Sequence, residues 1–142
     1  MSSHLAPMAP DVAAVFARFP DAPRARLLDL RRLIFAAAAA TDGVGPIEEA
    51  LRWGEPAYLT SQSGTGSTIR LAWKPSAPDQ CSLLVNCRTS LVETFRMLYP
   101  ALRFEGSRAI VLDAEGPLPE EALAGCITLA LTYHVRKPVL IA

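Results

Sequence analysis

The chain has 142 residues, 51% of them apolar, which suits one domain with a real core and lacks the low-hydrophobicity signature of disorder. Fourteen Lys and Arg balance fourteen Asp and Glu, so the formal net charge is zero. That balance argues against the basic footprint of a nucleic-acid binder and offers no polybasic anchor to an anionic membrane.

Residues 11–19 open the predicted elements as a helix, with Asp11 as its cap and Val12, Val15, Phe16 and Phe19 at helical spacing; Pro20 ends it. A second, longer helix is predicted over 21–41. Asp21 would cap it, Pro23 sits in its first turn, and Leu27, Leu30, Ile34 and Ala37 form one stripe with Leu28 and Phe35 off it, as expected of a central core helix. Residues 42–46 read as a turn, and 47–53 as a short helix with Glu48 and Glu49 in its first turn.

After Gly54 the hydrophobic period changes. Strands are predicted over 56–60, 67–74 and 80–87, with a Ser- and Gly-rich turn at 61–67 and a loop at 75–79. Ile69, Leu71 and Trp73 alternate with Thr68, Arg70 and Lys74; Cys81, Leu83, Val85 and Cys87 alternate with Ser82, Leu84 and Asn86. A helix over 90–99 follows, with Ser90 and Glu93 spaced as a capping box. A hairpin over 102–105 and 108–112 turns at Gly106, and Pro119, Glu120 and Glu121 open a last helix running to His134.

Short links between strands favour antiparallel pairing. The expected fold is therefore α+β: one antiparallel sheet of about five strands with helices packed on one face, spanning 11–135 between short tails at 1–10 and 136–142. The longest apolar run, residues 33–40, is too short to cross a bilayer, and no basic-then-apolar leader stands at the start, so a soluble cytoplasmic protein is expected. Three cysteines without a CxxC pair fit neither a disulfide framework nor a zinc site, and all three are expected as unpaired thiols in the core.

The stretch Trp53-Gly54-Glu55-Pro56-Ala57-Tyr58 resembles the Trp-Gly-x-Pro-x-Tyr signature of the YdhG-like domain, a family of unknown function. Supporting segments are the strand ending Cys81-Ser82-Leu83-Leu84-Val85-Asn86, the helix ending Leu98-Tyr99-Pro100, the hairpin around Phe104-Glu105-Gly106, and Pro117-Leu118-Pro119-Glu120-Glu121. The resemblance spans roughly residues 12–134 and implies an α+β fold. One branch of that family is described as a frataxin-like iron chaperone, a role that would need a carboxylate-rich surface.

Tested against the residues, most chemistries lose ground. Glu48, Glu49 and Glu55, and again Asp113, Glu115, Glu120 and Glu121, are close in sequence, but acids in first helical turns complement the macrodipole without any metal. His4 and His134 complete no metal set and His134 alone could serve as an internal base, so no catalytic residue, metal or cofactor is assigned. Gly64-x-Gly66 precedes a strand and reads as a turn, not a phosphate loop.

The candidate ligand-binding residues are Arg88 and Ser90, at a strand-to-helix junction suited to an anion, with Trp53, Tyr58, Arg70 and Asn86 lining a small pocket beside them. The function expected is a non-catalytic binding or adaptor domain for an unknown small molecule or protein. The alternatives are the iron chaperone and an anionic-ligand site, the latter marked by a concavity that holds Arg70, Asn86 or Arg88 next to Trp53. A sheet face carrying Thr68, Arg70, Ala72 and Lys74 beside Ser82, Leu84 and Asn86, apolar at its centre, is the expected surface of a homodimer.

Overall fold

Residues 7–135 are described by the structure, a computed structural model; the tail expected at 136–142, and most of that at 1–10, lie outside the described residues. Helix α1 (Pro10–Arg18) is followed at once by α2 (Asp21–Ala40). The junction is held by Arg24, whose guanidinium donates to the carbonyls of Phe16, Ala17 and Phe19 at 3.1, 3.2 and 2.7 Å and so caps the end of α1 from the first turn of α2. Neither Asp11 nor Asp21 caps in the expected sense; the helices start after Ala9 and Pro20, and the Pro20 carbonyl takes the Arg24 N–H at 2.8 Å. The stripe on α2 is the core stripe: Leu27, Leu30 and Ile34 are fully buried, as befits side chains that each gain about 1.5–3 kcal/mol on leaving water.

Strands β1 (Glu48–Arg52), β2 (Glu55–Leu59), β3 (Ile69–Ala72), β4 (Gln80–Leu84), β5 (Arg103–Glu105) and β6 (Ala109–Asp113) form one open antiparallel sheet in the order β1-β2-β3-β4-β6-β5. Helix α3 (Leu91–Leu98) precedes β5, and α4 (Glu120–Leu131) closes the described chain. Residues from all four helices join Tyr58, Ile69, Leu71, Cys81, Leu83, Ile110 and Leu112 in one cluster, so the helices cover a single sheet face.

The sheet has one strand more than expected, because residues 48–52 are strand and not helix. Glu, Ala, Leu and Arg are all good helix formers, but propensity is a weak prior and five residues cannot nucleate a lasting helix. The two-residue turn Trp53-Gly54 folds the segment back on β2, and the period becomes two, with Glu49 and Leu51 inward and Glu48, Ala50 and Arg52 outward.

The uncovered face carries the mixed rows expected of it. Its apolar centre, Ala72, Leu84 and Ala109, is nevertheless buried by neighbouring side chains of the same chain. It therefore presents little apolar surface outward.

Candidate functional site

Both central residues of the β1–β2 turn have positive φ, 57° at Trp53 and 75° at Gly54, as a type I′ hairpin requires. Glycine adopts this region freely, whereas a tryptophan there costs about 1–2 kcal/mol. Burial does not offset that cost, since Trp53 is 89% exposed. Its ring stands at a groove of about 310 Å³ on the uncovered face, where β3 begins and β4 ends.

Three arginines reach this groove from three parts of the chain. Arg52 stands at the end of β1, one residue before Trp53, and among the described residues its guanidinium donates only to the Leu51 carbonyl, at 2.9 Å. Arg70 projects outward from β3, where it pairs in register with Ala57 and Leu84, and it forms a half-buried ion pair with Glu55. Arg108 lies just before β6; the Val85 N–H donates to its carbonyl at 2.7 Å and draws it against the end of β4. The Arg108 side chain makes no hydrogen bond or ion pair among the described residues. Thr68, Asn86 and Cys87 complete the polar lining. Three guanidiniums and one neighbouring carboxylate give the groove a local excess of positive charge in a chain whose total is zero. It is rich in donors, and what would satisfy them is a ligand rich in acceptors.

Of the six residues picked from the sequence, Trp53, Arg70 and Asn86 meet here. Tyr58 does not. It points into the core, fully buried, and donates to Glu49 Oε2 at 2.8 Å. Strand alternation puts it on the opposite face from Arg70, and Trp53 escapes the alternation by sitting in the turn. Arg88 and Ser90 also fall outside the groove. The chain leaves β4 through a turn in which Asn86 Oδ1 accepts the Arg88 N–H at 2.9 Å, leaving Arg88 exposed. Ser90 makes no side-chain cap; Thr89 Oγ1 takes the Leu91 N–H instead, at 3.4 Å, and the Ser90 N–H donates to the Tyr133 hydroxyl. The same turn corrects the placement of Cys87. The inward row of Cys81, Leu83 and Val85 ends before it, and Cys87 is exposed at the groove.

Arg52, Thr68, Arg108 and Cys87 were not picked out. Arg52 could have been found as the outward residue beside the Trp-Gly turn. Arg108 could not, because only the crossover that sets β6 beside β4 brings it here.

Glu49 is the acceptor of a buried network beneath the same hairpin. Arg31 of α2 donates Nε to Glu49 Oε2 at 2.6 Å and Nη2 to Oε1 at 3.0 Å, with both side chains under a tenth exposed. The Phe35 ring stacks on Arg31 at 4.9 Å and meets Tyr58 edge-on. The hydrogen bond to Glu49 raises the Arg31 pKa further, and burial, reinforced by the Glu49 charge, pushes that of Tyr58 well up. Both acids of the expected helix start thus have other work: Glu49 ties β1 to α2, and Glu48 accepts from Ser61. Among the described residues no three His, Cys, Asp or Glu side chains come together to hold a metal ion, and no helix is long and apolar enough to cross a membrane.

No protein-family model, no curated protein and no solved structure matches this chain.

Proposed function

We propose that the chain is a non-catalytic binding domain of the YdhG-like type whose ligand is a small anion held in the groove on the uncovered sheet face. The observation that carries this reading is the convergence of Arg52, Arg70 and Arg108 on one cavity in a chain of zero net charge. Guanidinium forks match carboxylate and phosphate oxygens in pairs, and a concave site concentrates their field. Among the described residues no His, Asp or Glu lines the groove, and the neighbouring Glu55 carboxylate is engaged by Arg70. Binding without chemistry is the function that fits. Three free thiols suit a reducing compartment, in keeping with a cytoplasmic site of action.

The test is calorimetric titration of inorganic phosphate at low ionic strength into the wild type and into Arg52→Ala with Arg108→Ala. Wild type should give a saturable one-site isotherm, weakened about tenfold or more in the double variant and suppressed by salt. Both arginines are exposed, so the variant should stay folded. A wild-type chain without a saturable isotherm, or a double variant that binds equally well, would refute the proposal.

A further inference from the structure

Resting on the anion-site reading, we infer that the natural ligand is a phosphate monoester carried by an aromatic or heteroaromatic ring, with the phosphate on the arginines and the ring on Trp53. Two features of the groove point beyond a bare anion. The first is size. The groove, about 310 Å³ and open on one side, is larger than what the five heavy atoms of inorganic phosphate fill and lies at the low end of the volumes of small-molecule sites. The second is Trp53. Its indole packs on little of its own chain, sits in a strained turn and lines the cavity, so a flat, apolar surface is held ready beside the cationic end. Exposed aromatics placed this way stack on planar rings.

Charge selects the head group. Three guanidiniums less the Glu55 carboxylate leave two positive charges, and a phosphate monoester carries about −1.5 to −2 at pH 7, where a carboxylate carries one. Thr68 and the Asn86 amide add uncharged hydrogen-bonding groups to the lining, suited to the oxygens or nitrogens of a heteroaromatic ligand.

The experiment compares phenyl phosphate, cyclohexyl phosphate, inorganic phosphate and benzoate by calorimetry on the intact chain. Phenyl phosphate should bind about tenfold tighter than cyclohexyl phosphate, which has a ring of like size without a π face, and tighter than benzoate. In Trp53→Asn, where asparagine tolerates the left-handed turn, that preference should vanish, with phenyl phosphate falling to the affinity of cyclohexyl phosphate. Equal affinity for the two ring phosphates, or a preference that survives Trp53→Asn, overturns the aromatic inference and leaves the anion site standing. Failure of every anion to bind overturns both. A phosphotyrosyl pentapeptide that binds tighter than phenyl phosphate would overturn the small-molecule reading, since the same ring and phosphate would then be carried by a modified protein. Circular dichroism and thermal melting of Trp53→Asn must match or exceed wild type, since the substitution relieves the turn.

Discussion

Replacing Glu49 by Gln keeps the shape of the side chain and removes its charge. In the folded protein this removes the charge of the carboxylate to which the Arg31 guanidinium, 6% exposed, donates twice, in a site closed by Phe35 and Tyr58. Breaking a buried pair from one side costs about 3–5 kcal/mol. Gln can still accept from Arg31 and from the Tyr58 hydroxyl, so the lower end, about 3 kcal/mol, is expected. Against a total of about 5–15 kcal/mol for a domain this is a large share. With an unfolding entropy of about 2.1 cal/mol/K per residue, it lowers Tm by roughly 10 °C in a fold of this size. Tyr58→Phe removes one bond to a charged acceptor and should cost about 1.5–3 kcal/mol. Arg31→Met with Glu49→Leu leaves no buried charge, only the Tyr58 hydroxyl without its acceptor, and should cost less than Arg31→Met or Glu49→Leu alone. Urea unfolding of wild type, Arg31→Met, Glu49→Leu and the double variant closes the cycle. Because Glu49 ties the hairpin of Arg52 and Trp53 to α2, Glu49→Gln should also loosen phosphate binding measured well below its Tm. A Glu49→Gln midpoint within about 0.5 kcal/mol of wild type, or single costs that simply add in the double variant, would refute the role given to this network.

Three further outcomes are expected. A Cβ at Gly66 would stand 2.6 Å from the Leu131 carbonyl oxygen, where α4 receives the 60–67 loop, so Gly66→Ala should cost about 1–3 kcal/mol in urea unfolding; no loss would mean that the loop is not docked there. Cys81 and Cys126 are buried, with pKa values pushed up to about 11 and about 12, so only Cys87 should react with a disulfide reagent in the native state, all three should react once unfolded, and phenyl phosphate should slow Cys87; fast native reaction of a second thiol would contradict the burial. Burial also makes these thiols hold their protons longer in the folded chain than in the unfolded one, where they ionise near 9, so their contribution is intact below pH 9 and is lost as pH rises from 9 toward 11 and 12. At about 1.4 kcal/mol per pH unit for each thiol, stability should fall by about 2–3 kcal/mol between pH 8 and 10, and by less in Cys126→Ala; a flat profile would exclude the linkage.

Local pattern was enough for much of the fold. The stripe of Leu27, Leu30 and Ile34, the alternation of Ile69 and Leu71, the inward row of Cys81, Leu83 and Val85, and the closing helix all rest on periods that repeat within a few residues, and burial obeys those periods. Local pattern failed at 48–52, where good helix formers were drawn into a strand by a turn and a partner strand that lie outside the segment. It failed again at Cys87 and Ser90, where the chain leaves β4 by a turn that alternation does not foresee.

The groove divides in the same way. Trp53, Arg70 and Asn86 could be singled out from residue type and strand position. That Tyr58 faces the other side follows from β2 being a strand, and its bond to Glu49 needs β1 to be one too. That Arg108 joins Arg52 and Arg70 depends on β6 crossing over to lie beside β4, a pairing between residues 25 to 33 positions apart in sequence. Periodicity reports which way a side chain faces within its own element. Which elements become neighbours is decided by how the whole chain buries its apolar faces at once, and the convergence of three arginines on one cavity belongs to that second decision.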